Sequence, residues 1–441
     1  MGNLEVKKIN YKNYFGIVHF CVKTLGVINF LARSRLWLEI GKRNHSQTPE
    51  IKPSHYFISL VLFTAILLPL FSVSAFAGTV TVTATNTAPS KIVDGNADDL
   101  LKISIYNGTT TIVEWAHVDI KLTTDGTTAI TGTQADNIFY QIAVYYDSNS
   151  SGSYEDGDQF VLGTTNFTAM GTSGILSLSL PDGTSSLQIS AGATKIYFIV
   201  ADLEISASAQ APRTFMATID ENGTSGTSSN LKFIIDDDGL SDNPLPIEQT
   251  GIEEVSSSVC GAVPDDPTVK VYSTVSSTTL KDGDKDDLLK ITVKHNAINP
   301  SSNIEFASLR VKFTSDGIPI TGTITPQKLF KNIFVYRDSE DGNYGSEDIC
   351  IGTVTQGSIT LTAGGTMTIT LPDPSTRTLT FYNTTTTYFL VIELTEYASG
   401  DGTRTFRAEV NALAGDVIIE DEVTDITLNL KSDSSSLTTN K

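Results

Sequence analysis

Two acidic segments carry the residues best suited to chemistry in this chain. The first follows an alternating apolar stretch and places oxygen-bearing side chains at every second position around Gly152. Glycine suits the sixth position of a twelve-residue calcium-binding loop, because the backbone must reverse there. Numbered in this way, positions 1, 3, 5, 7, 9 and 12 give the candidate ligands Asp147, Asn149, Ser151, Ser153 (through its carbonyl), Glu155 and Asp158.

The second acidic segment begins at Asp338 and is one residue shorter before its glycine, Gly342. Aligned on that glycine, Asp341 takes position 5 and Asp348 takes position 12, while Asp338 and Glu340 serve the first positions in altered geometry. Both segments run into an apolar stretch that ends in Gly-Thr, so each loop is expected to join two strands. We expect structural Ca²⁺ at both loops. The alternative is an ordinary solvated turn, which uses the same Asp, Gly and Ser residues.

An internal repeat organises the chain around these loops. Residues 94–103 recur as residues 282–291 with eight of ten identities, and further matches follow in the same order at spacings of 188 to 191. A repeat of this length indicates two homologous domains. The expected organisation is an N-terminal extension with a signal peptide, a first repeat, a linker, a second repeat and a polar, frayed tail, over residues 1–77, 78–243, 244–265, 266–431 and 432–441.

The apolar residues of each repeat alternate with a period of two, as in Val118, Ile120 and Leu122, which predicts half-buried strands. About nine such runs fill each repeat, separated by Gly, Asp, Asn and Ser turns, and no amphipathic helix is convincing. We therefore predict an all-β chain of two tandem homologous antiparallel β-sandwich domains of the Ig-like type. A closed β-barrel is the structural alternative.

The loop pattern Asp-x-Asn-x-x-Gly-x-Tyr-x-x-Gly-Asp between two strands resembles the calcium-type loops in repeated β-sandwich domains of secreted bacterial surface proteins. It is also similar to the binding segment of dockerin modules, but dockerins flank the loop with helices, whereas strands flank it here. The resemblance implies an exported, adhesive or layer-forming protein with structural Ca²⁺.

Charge excludes one class of partner. The 441 residues include 50 acidic and 30 basic ones, a net charge of -20, and residues 78–441 alone carry a net charge of -26. Nucleic-acid binding needs a cationic face and is not expected. The expected partner is an unknown extracellular protein or glycan.

An apolar run over residues 56–77 ends in Ala75-Phe76-Ala77, which predicts a signal peptide cleaved after Ala77 and no membrane insertion after cleavage. An uncleaved anchor is the alternative. The protein is therefore expected outside the cell or at its surface. Two cysteines follow, Cys260 and Cys350, and we favour unpaired thiols.

Catalytic constellations are poorly represented. His117 and His295 are the histidines after the signal segment, and His117 alternates outward as a surface residue. Strict alternation also turns Trp115 and its counterpart Phe306 away from the core, where they could form a platform for a sugar ring, although burial under a neighbouring loop is favoured. We predict a non-enzymatic structural or adhesion protein. The alternative is a carbohydrate-binding module or accessory domain of an extracellular hydrolase.

Overall fold

Extended strands make up about half of the residues described by the computed structural model. It describes residues 78–220, 231–237, 249–250, 254–274, 279–322, 324–372, 378–400, 405–431 and 434–440. The signal segment lies outside these residues. The first strands, β1–β14, are Val80–Asn86, Lys91–Val93, Ala97–Asn107, Val113–Thr123, Phe139–Tyr146, Gln159–Thr164, Ile175–Ser179, Gln188–Ile189, Thr194–Leu203, Thr214–Ile219, Phe233–Asp236, Gln249–Thr250, Val255–Ser256 and Cys260–Val263.

The remaining described strands, β15–β26, are Thr268–Ser273, Lys285–Lys294, Ile304–Ser315, Ile318–Pro319, Phe330–Arg337, Ile349–Thr355, Thr366–Thr370, Leu379–Thr380, Thr385–Leu394, Arg407–Asn411, Val417–Asp421 and Ser436–Asn440. Two short helices, α1 (Gly132–Ile138) and α2 (Ile324–Leu329), each precede a central strand. Single 3₁₀ turns occur at Thr168–Met170, Ala207–Ala209, Gln356–Ser358, Ala398–Gly400 and Ala412–Ala414.

The first sandwich consists of two sheets that share one hydrophobic core. One sheet has the order β12-β1-β3-β9-β5-β6, and the other has the order β11-β4-β10-β14-β2 with β7 and β8 on β4 and β13 on β10. Buried residues from Val80 to Ala262 fill the space between them. Most strand pairs are antiparallel; β1–β12 and β2–β14 are parallel.

The second sandwich repeats this plan with its own core. Its sheets have the orders β15-β16-β23-β19-β20 and β18-β17-β24-β26, with β21, β22 and β25 on β17. Buried residues from Val263 to Leu428 pack between these sheets. The prediction of antiparallel β-sandwiches is confirmed. The reason is that period-two alternation gives a strand one apolar face, which the two sheets of a sandwich bury between them.

Two predicted features differ in the structure. The segment read as a linker contains β12, β13 and β14, and β14 pairs with β10 on one side and with β2 on the other. The tail read as frayed contains β26, which pairs with β24 from Arg407 to Asn411. Both segments are polar or Ser-rich in sequence, yet their backbone groups complete sheet edges, which is a tertiary effect.

The alternation breaks at a β-bulge in β4. Ile235 of β11 pairs with Trp115, and Ile234 pairs with His117, so Ala116 is the extra residue. Trp115 therefore turns into the core and is fully buried, rather than lying under a loop or on the surface. The same shift occurs in β17, where Phe306 is buried and Ala307 is the extra residue.

The two sandwiches meet at a joint built on β14. Val263, at the end of β14, already belongs to the second core. Lys91 Nζ donates to the carbonyl of Thr427 at 2.5 Å, and the Ser302 N–H donates to Ser208 Oγ at 3.0 Å. The described residues from Gly78 onward thus form one compact unit.

Cys260 is buried and Cys350 is partly buried, and both are free thiols. Among the described residues, no helix is long and apolar enough to cross a membrane.

Candidate metal centre

Each acidic loop is a hairpin connection at the same place in its sandwich. The first joins β5 to β6 and the second joins β19 to β20, and in both cases the two strands pair antiparallel. The preceding strand is held on its other side by the central strand, β9 or β23. The expectation that the loops join strands is therefore confirmed, and the loop ends have fixed positions.

Asp147 anchors the first loop from within. Asp147 is only 3% exposed, and its carboxylate accepts hydrogen bonds from the backbone N–H groups of Ser151 at 3.1 Å and Gly152 at 2.8 Å. The backbone reverses at Gly152 with a φ of 77°, a conformation that glycine adopts without steric cost. The position-1 carboxylate is thus fixed by the turn that it stabilises.

Asp158 closes the loop and is 8% exposed. Its Oδ2 accepts the N–H of Glu155 at 3.0 Å, while its Oδ1 is buried and makes no hydrogen bond of standard geometry. Burial raises the pKa of Asp158 and the negative charges of Asp147 and Glu155 add to the rise, while the backbone N–H groups of Glu155 and Ser148 oppose it. A buried, unpaired carboxylate oxygen next to a second carboxylate is costly without a cation.

The other candidate ligands of the first loop lie within reach of one another in pairs. Ser151 Oγ donates to the carbonyl of Ser153 at 2.8 Å, so the oxygens of positions 5 and 7 are adjacent. Asn149 Oδ1 accepts the Ser151 N–H at 2.7 Å, and its Nδ2 lies 3.5 Å from Glu155 Oε2. Each of the six candidate ligand residues therefore contacts another residue of the first loop.

The second loop keeps the pair of aspartates at its ends. Asp338 accepts the Gly342 N–H at 3.2 and 3.1 Å through its two oxygens. Asp348 accepts N–H groups from Ser339 and Gly345, both at 2.9 Å, so both of its oxygens are bonded. Burial raises the pKa of Asp338, and the charge of Asp348 adds to this effect.

Glu340 and Asp341 lie at the surface of the second loop. Asp341 Oδ1 accepts the N–H of Asn343 at 2.9 Å, which is a local turn contact. Glu340 has a φ of 87°, which is unusual for a residue with a Cβ. The shorter loop therefore brings Asp338 and Asp348 together and leaves the other two acids exposed.

Within the described ranges, no group of three or more His, Cys, Asp and Glu side chains is placed to hold a metal ion. This finding bears differently on the two loops. Half of the candidate ligands in the first loop are Asn, Ser or backbone oxygens, which are ordinary calcium ligands. The candidates in the second loop are all carboxylates, so the second loop fits a metal less well.

A lysine fastens each loop to its sheet, and sequence reasoning gave it no role. Lys102 Nζ donates to the carbonyl of Gly152 at 2.6 Å, and Lys290 Nζ donates to the carbonyl of Gly342 at 2.8 Å. Both lysines belong to the ten-residue segment repeated with eight identities. That identity was the available signal, because a solvent-facing lysine rarely needs to recur in two copies unless it makes a specific contact.

His117 brings together a serine and an aspartate from neighbouring strands. Its Nδ1 lies 3.3 Å from Ser179 Oγ, and its Nε2 lies 2.9 Å from Asp119 Oδ1. In serine hydrolases the nucleophile bonds Nε2 and the acid bonds Nδ1, which is the reverse. Asp119 Oδ2 also accepts the N–H of Lys232 at 2.9 Å. These contacts fit polar pairing across the sheet, and His117 is half-buried rather than fully exposed.

Comparison with known proteins gives similarity to solved structures alone. No protein-family model matches the chain. No curated protein matches it either. A serine-rich repeat protein from Streptococcus agalactiae is 9% identical, with 83% of this chain and 92% of that chain covered and a TM-score of 0.17. The C-terminal domain of an antigen I/II-family protein from Streptococcus pyogenes is 8% identical, with 83% and 100% covered and a TM-score of 0.21.

A partial N-terminal region of an enterococcal surface protein is 10% identical, with 82% of this chain and 94% of that chain covered and a TM-score of 0.21. Scores this low carry no structural or functional argument for this chain. We therefore draw no functional conclusion from these similarities.

Proposed function

We propose that this chain is a secreted or cell-surface, non-enzymatic structural or adhesion protein whose two β-sandwich repeats are stabilised by Ca²⁺. The observation that carries the proposal is the buried Oδ1 of Asp158, which makes no hydrogen bond of standard geometry, beside Asp147, in a hairpin loop that recurs in the second sandwich with the pair Asp338 and Asp348. A hard divalent cation would bind that oxygen and offset the repulsion between the two carboxylates.

The first loop would hold the ion through Asp147, Asn149, Ser151, Glu155 and Asp158, with the Ser153 carbonyl as a further oxygen. Bound Ca²⁺ would tie the start of β6 to the end of β5 and so stiffen that end of the sheet. In the second loop Asp338 and Asp348 would contribute, and Glu340 and Asp341 would have to turn inward. We therefore expect the first site to bind more tightly.

A structural role is favoured over catalysis for two physical reasons. The acidic loops recur at the same position in both sandwiches, which suits a stabilising site repeated with the fold. A net charge of -26 over residues 78–441 also costs folding free energy through self-repulsion, and bound cations lower that cost. The partner we propose is an extracellular protein or glycan.

Calorimetry of the full chain tests the metal. We expect the melting temperature to rise on adding millimolar Ca²⁺ to chelator-treated protein, because an ion that binds only the folded state stabilises it by mass action. Mg²⁺ is the matched control, since it requires near-ideal octahedral geometry and loses its waters reluctantly. An unchanged melting temperature in saturating Ca²⁺ would refute calcium stabilisation while leaving the fold intact.

The carbohydrate-binding alternative loses its two sequence candidates. Trp115 stacks on Phe233 with ring centroids 5.1 Å apart, and Phe306 packs against Tyr388 at 4.8 Å, both inside the cores. Neither ring is available to a sugar. Glycan-array binding of the full chain tests the class of the partner: a saturable signal would identify a glycan, and its absence would favour an extracellular protein.

A further inference from the structure

Lys285, the first residue of β16, holds its ammonium against a group of aromatic rings on the second sandwich. Its Nζ lies 4.4 Å from the ring centroid of Phe334, 4.5 Å from that of Tyr336 and 5.9 Å from that of Tyr344. It also donates to the Tyr336 hydroxyl at 2.5 Å. These distances are within the range of cation–π attraction.

The first sandwich repeats the two tyrosines of this group in the same geometry. The rings of Tyr145 and Tyr154 have centroids 5.2 Å apart and planes at 66°. The corresponding values for Tyr336 and Tyr344 are 5.3 Å and 64°. Each pair consists of one tyrosine near the end of a strand and one in the acidic loop. Both sandwiches therefore hold this tyrosine pair, which we call the aromatic frame, in the same geometry.

A third ring extends the frame in the first sandwich. Phe160, paired across the sheet with Tyr145, lies 5.6 Å from it between centroids and is 47% exposed. Cys350 stands opposite Tyr336 in the second sandwich. The first sandwich thus offers more exposed aromatic surface at this place.

The internal cation is not repeated. In the second sandwich Lys285 pairs with Glu393, and in the first sandwich Ala97 occupies the same register opposite Asp202. Ala143 likewise takes the place of Phe334, which removes the ring that covers the lysine from the side. An alanine at position 97 brings no positive charge to the two tyrosines.

Both sandwiches have a carboxylate at this register, Glu393 in the second and Asp202 in the first. A second positive charge, next to Glu393, is also missing from the first sandwich. Glu393 accepts hydrogen bonds from Lys331 Nζ at 2.7 Å and Asn332 Nδ2 at 2.6 Å. Burial raises the pKa of Glu393, but the bonds from Lys331 and Asn332 and the charges of Lys331 and Lys285 together outweigh this effect, and the net shift is downward. Tyr140 occupies the position of Lys331 in the first sandwich, and the pKa of Asp202 is raised by burial and by the charge of Glu204.

We propose that the aromatic face formed by Tyr145, Tyr154 and Phe160, with Asp202 beside it, binds the side-chain ammonium of a lysine from a partner protein. The homologous face binds the same chemical group from within the chain. A primary ammonium satisfies ring faces and a tyrosine hydroxyl together, as Lys285 does, and its charge favours a nearby carboxylate, as that of Lys285 does for Glu393. The proposal does not depend on Ca²⁺, although Tyr154 lies in the first acidic loop.

Fluorine NMR of the full chain labelled with 3-fluorotyrosine tests this site. The probe is N-acetyl-lysine methylamide, titrated in the presence of Ca²⁺ and again in the presence of a chelator. The resonances of Tyr145 and Tyr154 are assigned from the Tyr145→Phe and Tyr154→Phe variants. We expect both resonances to shift saturably with the probe in at least one condition, and the neutral Nε-acetylated probe to bind at least tenfold more weakly.

Two exchanges between the sandwiches supply matched variants. Ala97→Lys restores the internal ammonium at an exposed position, so we expect it to weaken probe binding at least tenfold. Lys285→Met frees the second frame, so we expect new probe-dependent shifts at Tyr336 and Tyr344. Absence of saturable shifts in both conditions, equal shifts with the neutral probe, or unchanged binding in Ala97→Lys would each overturn the proposal. If the protein fails these tests but still melts at a higher temperature in Ca²⁺ than in chelator, the calcium proposal stands although the lysine proposal fails.

Discussion

Asp158 and Asp348 occupy the same loop position and yet meet different surroundings. Asp348 places both oxygens on backbone N–H groups, as an ordinary turn residue does. Asp158 bonds one oxygen to the Glu155 N–H, whereas its other oxygen is buried and the Ser148 N–H that acts on this carboxylate does not reach it in standard hydrogen-bond geometry. Desolvation without compensation costs about 1–3 kcal/mol for a polar group, and more for a charged one. The first loop therefore has a physical reason to bind a cation that the second loop largely lacks.

The Asp158→Asn variant tests this difference. Because the pKa of Asp158 is raised, its ionisation costs stability in metal-free protein; the cost is absent below the ordinary value of 3.8 and grows as the pH rises through the raised pKa. We expect the metal-free variant at pH 7 to be at least as stable as the parent, and its Ca²⁺ affinity to fall ~10-fold or more. Thermal unfolding against pH and calcium titration calorimetry measure both effects.

The neighbouring substitution Asp156→Asn is the control, since Asp156 is an exposed acid of the same loop outside the candidate ligand set. It should leave Ca²⁺ affinity nearly unchanged. Equal losses of affinity in the two variants would mean that Asp158 acts through net charge alone.

At the scale of strands and loops, patterns between residues close in sequence predicted the structure correctly. Each of the nine runs identified by alternation in the first repeat falls on a strand, because burial on one face of a sheet imposes period two directly. The helix α1 was missed, although Thr131 and Gln134 form a capping box. Seven residues give too little periodicity to reveal a helix.

The bulges could not be predicted from the sequence, because one extra residue moves every side chain before it to the opposite face of the sheet. Strict alternation assigned Trp115 to the surface, and the insertion of Ala116 returns it to the core. The strands β14 and β26 were missed for a related reason: their partners are distant in sequence, and their own composition is that of a loop.

Deleting Ala116 should therefore be severe. Removing the extra residue forces either Trp115 or the run that begins at Val118 to the wrong face of β4. We expect a loss of more than about 3 kcal/mol, the cost of losing one large buried aromatic side chain. In a Trp37→Phe background, the emission of Trp115 should shift to longer wavelength at equal denaturant concentration.

The Ala116→Gly variant is its control, because it keeps the bulge and should cost about 1 kcal/mol or less. A deletion variant as stable as this control would show that the register of β4 is not set by the bulge.

At the scale of the whole unit, the joint between the sandwiches reuses an element of the repeat. Asp94 accepts the N–H and the hydroxyl of Ser208 at 2.7 and 2.6 Å, and Ser302 of the second sandwich donates to that hydroxyl oxygen. Asp282 and Ser399 form the same pair of bonds, both at 2.7 Å, at an exposed end of the second sandwich. One contact thus caps a loop in one copy and also supports an interface in the other.

Burial at the joint raises the pKa of Asp94 to about 6; the charge of Asp421 adds to this shift, and the bonds from Ser208 and the charge of Arg213 oppose it. A raised acid pKa stabilises the fold below the ordinary value of 3.8, and this contribution is lost as the pH rises through about 6. Two pKa units correspond to about 3 kcal/mol, which is an upper limit for this group.

We therefore expect Asp94→Asn to flatten the decrease in unfolding free energy between about pH 3.5 and pH 6.5, a window that spans the ordinary pKa of 3.8 and the raised value of about 6. Asp282→Asn is matched in residue type and in bonding, but it lies away from the joint, so the decrease should persist in that variant. Urea unfolding of the full chain in chelator at half-unit pH steps measures the slope without interference from Ca²⁺. Identical slopes in the two variants would place the titration outside the joint, because the exposed Asp282 makes the same two bonds to a serine but lacks the burial of Asp94 between the sandwiches.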